Sequence, residues 1–171
     1  LRHQNWVVNV SRATGDVLWT LGEDGDFALS GSDAQWFYAQ HDSRWLEDGT
    51  LLIYDNGNER PNTASPTSHA VQYKLNMDTM TAEEIWRYDT GIYTEFLGGA
   101  NQMPNGNILV CAGGIRGVKT PGSPPGPVPP EDGYLFEVTG DTPAVKVWEL
   151  TAGGAMYRAT RLPSFWVEAS E

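Results

Sequence analysis

The sequence is poor in cysteine, in basic residues and in long apolar runs, and each shortage excludes a class of protein. One cysteine in 171 residues, Cys111, excludes an internal disulfide framework and a cysteine-based zinc site. Eleven basic residues against 22 acidic ones give a formal net charge of −11. That charge argues against a nucleic-acid partner and against docking on an anionic membrane, because both need clustered basic side chains. No apolar run is long enough to span a bilayer.

The abundant residues are those of short strands and tight turns. Seven tryptophans and seven tyrosines accompany 30 glycines and prolines. Aromatic residues favour strands, whereas glycine and proline favour the turns that join them. The composition therefore predicts an all-β fold, and Cys111, in an apolar strand, is predicted to be a buried thiol.

An internal repeat organises the chain. Residues 45–54 align with residues 102–111, and each stretch is a strand end, an Asp-Gly or Asn-Gly turn and an apolar strand. Such turns predict two-residue hairpin loops in which both central residues have positive φ. Two further strands are expected after each hairpin, and a similar pair opens the chain; these pairs are 70–75 with 83–88, 134–138 with 144–150, and 6–10 with 16–20. They place Trp19, Trp86 and Trp148 at equivalent positions.

Four short antiparallel strands that recur every 60 residues or so are typical of a β-propeller blade. The period leaves room for loops at 58–68 and 117–133, and the second loop carries six of the eleven prolines. We therefore predict a single β-propeller segment of about two and a half four-stranded blades over residues 1–171. Its parts are the end of one blade (1–22), two whole blades (38–90 and 98–151) and the first strand of the next (155–166).

Two and a half blades would leave sheet faces and edges exposed, which complete propellers avoid. We therefore expect the chain to be a fragment, a nicked product or one piece of a larger assembly. The remaining blades, another chain or a second copy in a homo-oligomer would complete the fold. A self-contained sandwich of the same strands is the alternative.

Several segments, taken in order, resemble the aryl-sulfate sulfotransferase (arylsulfotransferase) family. They are 2–10 with 13–19, 40–42 with 45–49 and 54–58, 103–109, and 147–150 with 157–159. The resemblance implies the C-terminal part of a six-bladed propeller in a periplasmic or secreted protein. It also implies an enzyme that transfers a sulfuryl group from an aryl sulfate to a phenol through a sulfohistidine, with no cofactor and no metal.

The resemblance places the nucleophilic histidine at His41 and the active-site arginine at Arg2. A neutral imidazole is a good nucleophile near pH 7, and a planar guanidinium suits sulfate oxygens. Trp36 and Tyr38 are either an aromatic wall for a phenolic substrate or packing residues. The alternative function is a non-catalytic propeller module that binds a ligand or partner, or a fragment that is inactive without its N-terminal blades.

Two other polar features have plainer interpretations. His69 lies beside Ser68 in a polar stretch and is expected to be structural or exposed, and His3 is expected to face away from Arg2. Residues 55–59 carry oxygen ligands at near-alternate positions, as a calcium loop does, but without the EF-hand spacing. A turn built on Asx side chains is the favoured interpretation.

Overall fold

The structure, a computed structural model, describes residues 1–63, 66–115 and 132–162. Within these ranges it has eleven β-strands, one 3₁₀ turn at Arg2–Gln4 and no α-helix. The strands are β1 Val7–Val10, β2 Val17–Leu21, β3 Ala28–Ser30, β4 His41–Trp45, β5 Leu51–Asp55, β6 His69–Asn76, β7 Thr81–Asp89, β8 Gly99–Gln102, β9 Ile108–Ile115, β10 Asp132–Val138 and β11 Lys146–Gly153. In the described part of the chain, no helix has the length and apolar character needed to cross a membrane.

The strands form three sheets in which neighbours along the chain pair antiparallel. Strands β1 and β2 form the first sheet, β4 to β7 form the second in chain order, and β8 to β11 form the third in chain order. The predicted all-β class is confirmed. The second sheet differs from the four-stranded prediction because β3 lies parallel along the outer edge of β7. Three residues are too few to carry a period-2 pattern, so the sequence did not reveal β3.

The two hairpin loops contain three residues, not two. Gly49 N donates to Leu46 O at 3.0 Å, and only the glycines of the loops have positive φ, 79° at Gly49 and 84° at Gly106. Asp48 and Asn105 are not among the positive-φ residues, so the prediction of positive φ was right for the glycine of each loop and wrong for the residue before it. This geometry matches a type I turn followed by a glycine bulge. The hairpins themselves are present, as β4–β5 and β8–β9.

Strand β5 explains how neighbouring sheets share the core, because all five of its residues are buried. Alternate side chains of a strand point to opposite faces of its sheet. Leu52 and Tyr54 pack between the second and third sheets, against residues such as Val110. Leu51 and Ile53 pack on the other face, in a cluster that includes Leu21 of β2. The apolar run at 51–54 is therefore typical of a strand covered on both faces.

Three tryptophans occupy the last antiparallel strand of the three sheets, as the repeat predicted. Trp19 lies on β2, Trp86 on β7 and Trp148 on β11. Trp86 is buried between two sheets, whereas Trp148 is 46% exposed. The difference arises because, among the described residues, no sheet covers the face of the third sheet that carries Trp148.

The end of the described chain runs along β8, an edge strand of the third sheet. Residues 155–162, where we expected a new strand, have no regular secondary structure, and residues 163–166 lie outside the described ranges. Gly98 N donates to Tyr157 O at 3.3 Å, and Asn101 Nδ2 donates to Ala159 O at 3.0 Å. Most of the proline-rich stretch, residues 116–131, also lies outside the described ranges. Cys111 is fully buried in β9, and burial raises the pKa of its thiol to about 11.

Candidate active site

His41 is the first residue of β4, and its ring is anchored by one buried amide. Its pairing partner on β5 is Tyr54, so that Asn56, two residues further on, comes beside the imidazole. The His41 Nδ1 to Asn56 Oδ1 distance is 2.7 Å. Asn56 is fully buried, whereas His41 is partly exposed. The ring is therefore fixed from inside the protein while part of it stays accessible.

Asn56 is in turn held by a turn that precedes β8. Its Nδ2 donates to the backbone carbonyls of Thr94 and Leu97, both at 2.9 Å. Tyr54 OH and Ser68 Oγ contact Thr94 Oγ1 at 2.8 and 2.9 Å. Asn56, Thr94, Ser68 and Tyr54 are all fully buried. A network whose polar groups are satisfied in this way is rigid.

Arg2 reaches the same turn from the other end of the chain. Its Nη2 donates to Glu95 O at 2.7 Å, and the same carbonyl accepts a bond from Asn58 Nδ2 at 2.9 Å. Arg2 Nε is buried and has no hydrogen-bond partner among the described residues. The turn at 94–97 therefore holds both Arg2 and the amide that anchors His41.

Two hydrogen bonds dock the N-terminal segment beside His41. Asn5, in the left-handed conformation at φ 55°, accepts a bond at Oδ1 from Ala39 N at 2.7 Å. Gln40 Nε2 donates to Trp6 O at 2.7 Å. These contacts fix the residues that follow Arg2 relative to those that precede His41.

The surroundings of His41 favour its neutral form. Burial is the main cause that lowers the pKa of His41 below its usual range, and the positive charge of Arg2 lowers it further. Hydrogen bonding to Asn56 and the Ala39 carbonyl and the charge of Asp42 act in the opposite direction but do not outweigh burial. The ring is therefore an unprotonated base at neutral pH.

Asp42, next to His41, is turned inward by an unusual backbone conformation. Its φ is 52°, and its side chain forms ion pairs with Arg44 at 2.8 Å and with Arg158 at 3.3 Å. A Cβ at position 99 would come within 2.4 Å of Asp42 Oδ2, so a larger residue there would displace this carboxylate. Asp42 of β4 thus packs against Gly99 of β8 and pairs with an arginine of the segment that follows β11.

The two aromatic candidates pack against protein groups. Tyr38 is 8% exposed, and its OH donates to Glu23 at 2.6 Å. Burial, with that hydrogen bond second, raises the pKa of Tyr38 to about 12. Trp36 lies 6.0 Å from the Tyr73 ring at the margin of the second core cluster. These contacts favour the packing interpretation of Trp36 and Tyr38 over a wall for substrate.

Asp55, the last residue of β5, lies at the centre of a buried polar cluster. Asp55 is fully buried, and its Oδ2 pairs with the guanidinium of Arg60 and lies 3.5 Å from His69 Nδ1 and 3.9 Å from Arg87 Nη1. Its Oδ1 accepts a bond from Tyr38 N at 2.8 Å. His69 is accordingly buried and structural. Within residues 1–63, 66–115 and 132–162, no group of three side chains is placed to hold a metal ion.

Sequence reasoning did not assign roles to Asn56, Asn58 or Thr94. Asn56 and Asn58 belong to the loop that we considered as a calcium or Asx turn, two and four residues after the strand partner of His41. That register, together with the resemblance at 54–58, was the available signal for Asn56. Thr94 lies 38 residues from Asn56, and no local pattern points to it.

The fold and the site define an all-β protein of repeated antiparallel sheets, with a neutral histidine and an arginine held by one turn. The family model for arylsulfotransferase (ASST) matches residues 1–156, and the chain belongs to this family. The family prediction is thus confirmed, and it places the protein among sulfotransferase-type enzymes. A search of curated proteins found no match.

Proposed function

We propose that the protein transfers a sulfuryl group from an aryl sulfate to a phenol, with His41 as the nucleophile that carries the group between them. The observation that carries this proposal is the anchored, neutral imidazole of His41, whose Nδ1 is held at 2.7 Å by Asn56. Membership of the arylsulfotransferase family supports the sulfuryl group as the cargo.

In the first half-reaction the lone pair of His41 Nε2 forms a bond to sulfur. The bond between sulfur and the aryl oxygen breaks, and its electron pair leaves with the phenoxide, which takes a proton from water. Arg2 lies close enough to affect the pKa of His41, and its guanidinium stabilises the equatorial oxygens of the moving group. By analogy with phosphoryl transfer, positioning and charge supply most of the catalysis.

In the second half-reaction the acceptor phenol gives its proton to solvent as its oxygen bonds to sulfur. The N–S bond breaks, its electron pair returns to Nε2, and neutral His41 is regenerated. No cofactor or metal takes part in either step. Such a double displacement gives ping-pong kinetics.

We further propose that the three sheets are blades of a six-bladed propeller, with His41 facing its axis. The exposed apolar side chains of β11, Val147, Trp148 and Leu150, support a further blade or another chain packing there. We also propose an extracytoplasmic location, periplasmic or secreted, on the family resemblance alone.

A chromogenic aryl sulfate tests the proposed reaction. Release of the coloured phenol should rise when an acceptor phenol is added, and double-reciprocal plots at several acceptor concentrations should be parallel. Equal release without acceptor would indicate hydrolysis. Absence of turnover would contradict the proposal for this chain and favour a non-catalytic module or a requirement for further blades.

Arg2 provides a more specific prediction. Arg2→Ala should lower kcat/KM about 10²- to 10³-fold, as the loss of one oxyanion donor does. Arg2→Lys should recover part of the loss, because an ammonium keeps the charge but lacks the planar fork. Steady-state kinetics with the chromogenic donor measure both variants. Arg12→Ala is the matched control, since Arg12 is exposed and should leave the rate unchanged.

A further inference from the structure

We propose that Asn56 is a positioning residue that holds the His41 ring in the tautomer protonated at Nδ1, so that the lone pair presented to sulfur lies on Nε2. This inference rests on the proposed function, because it names the reacting atom of the nucleophile. The assignment follows from the hydrogen-bond partners of Asn56, taken one step at a time.

The orientation of the Asn56 amide is dictated by two backbone carbonyls. Its terminal atom on one side lies 2.9 Å from both Thr94 O and Leu97 O. Carbonyl oxygens only accept hydrogen bonds, so that atom must be the NH₂ group. The amide oxygen therefore faces His41 Nδ1 at 2.7 Å, and since it only accepts, Nδ1 must carry the proton.

The hydroxyl groups around Asn56 leave no freedom to reverse this arrangement. Ser68 Oγ must donate to the Asn56 backbone carbonyl at 2.9 Å, and it accepts a bond from Thr94 N at 2.9 Å. Thr94 Oγ1 then donates to Ser68 Oγ and accepts from Tyr54 OH. The single proton of Thr94 Oγ1 is thus engaged with Ser68, so the Asn56 side-chain atom 3.2 Å from Thr94 Oγ1 must be a donor, the NH₂ group.

Burial makes the arrangement costly to disturb. Asn56, Thr94, Ser68 and Tyr54 have no exposed surface, so a rotated amide would leave buried donors and acceptors without partners. When Nε2 bears the sulfuryl group, the ring is a cation whose remaining proton is on Nδ1. The Asn56 oxygen then accepts a charge-assisted bond from it, which stabilises the intermediate.

The tautomer can be measured directly in the full chain with ¹⁵N-labelled histidine. Two-bond proton–nitrogen spectra above the pKa of His41 should show a protonated-type Nδ1 and an unprotonated-type Nε2. The His41 signals are identified by their loss in His41→Gln. A wild-type ring protonated at Nε2 would overturn the proposal.

Two substitutions of Asn56 separate positioning from general structure. Asn56→Leu keeps the volume but removes the acceptor, and should shift His41 toward the Nε2–H tautomer and lower kcat about 10²-fold or more with little change in KM. Asn56→Asp keeps an acceptor oxygen against Nδ1, so it should keep the Nδ1–H tautomer and raise the pKa of His41. It also removes the donor to Thr94 O and Leu97 O, so it should lower the free energy of unfolding. The charges of Arg2 and Asp42 act on the same ring in both variants.

Thr94→Ser is the control, because it keeps the hydroxyl and should leave the His41 spectrum unchanged. Identical tautomers in wild type and Asn56→Leu would refute the role of Asn56. The two proposals fail separately. A sulfo-group on His41 together with a resting ring protonated at Nε2 would refute the role of Asn56 and leave the proposed function intact. A resting ring protonated at Nδ1 without any sulfo-enzyme would refute the proposed function and leave the role of Asn56 intact.

Discussion

His41→Ala is expected to lower sulfuryl transfer by roughly 10⁴-fold or more, because removing the nucleophile of a covalent mechanism removes both half-reactions. The variant should also fail to retain sulfur label from an ³⁵S-labelled aryl sulfate after a rapid quench. Quenched wild-type protein should carry one sulfuryl group, and peptide mapping should locate it on His41. Fluorescence of the seven tryptophans checks that the variant is folded.

His3→Gln is the control for this experiment, since His3 is an exposed histidine of the same segment that carries Arg2. Its Nε2 lies 3.4 Å from Arg2 Nη1, so the expectation that His3 faces away from Arg2 was wrong, and glutamine keeps a polar group at that contact. Its label and its rate should stay at the wild-type level. Label retained by His41→Ala, or located on His3 or His69, would contradict the assignment of the nucleophile. Transfer at an unchanged rate would reject covalent catalysis by His41 altogether.

Asp55→Ala should destabilise the fold by about 3–5 kcal/mol, as breaking a buried ion pair by removing one partner does. The carboxylate is fully buried, and its loss would leave Arg60 without its ion-pair partner and Arg87 with only Glu84. The loop at 34–39 would also lose the bond from Tyr38 N to Asp55 Oδ1. Urea unfolding followed by tryptophan fluorescence measures the change in the free energy of unfolding.

The same carboxylate predicts an acid-dependent loss of stability. Burial acts to raise the pKa of Asp55, but the His69 ring and the Arg60 charge outweigh it, so the pKa lies below its usual range. A group with a depressed folded pKa stabilises the protein above its unfolded pKa of about 3.9, and that contribution is lost as the pH falls through the folded pKa.

The stability gap between wild type and Asp55→Asn should therefore be widest above about pH 4 and should narrow as the pH falls below it. Asp33→Asn, a change of an exposed carboxylate, is the control and should cost less than about 0.5 kcal/mol at any pH. A gap between wild type and Asp55→Asn that stays constant from pH 7 to pH 2 would show that folding does not shift the pKa of Asp55, and a gap that widens as the pH falls would show that folding raises it.

The sequence was a good guide to strands and a poor one to their local geometry. The apolar runs at 51–54 and 108–111 predicted strands, and for β5, which is covered on both faces, a run without polar residues is the expected result. The hairpins at Gly49 and Gly106 were predicted correctly but with the wrong type of turn. Asp-Gly and Asn-Gly both suit a two-residue loop and a three-residue loop with a glycine bulge. Strand β3 carries no pattern because it has only three residues, and its partner β7 lies 53 residues further along the chain.

The site was predictable only for residues whose side chains are themselves reactive or charged. A histidine and an arginine can be proposed from their side chains and a family resemblance, as His41 and Arg2 were. The roles of Asn56 and Thr94 come from contacts between distant segments, which hydrophobic periodicity does not encode. Tyr38 and Trp36 illustrate the opposite difficulty, because an aromatic cluster beside a histidine suits a binding wall and a packed interior equally well.

Strand β3 has a consequence for how the molecule behaves at high concentration. By pairing along β7 it occupies backbone groups that could otherwise pair with a strand of a neighbouring molecule. It thereby protects that edge of the second sheet from intermolecular pairing. No described strand does the same for β11, which also displays Trp148 and Leu150 to water. Aggregation at high concentration should therefore begin at the exposed edge of β11. A lysine substituted on this edge strand should improve solubility.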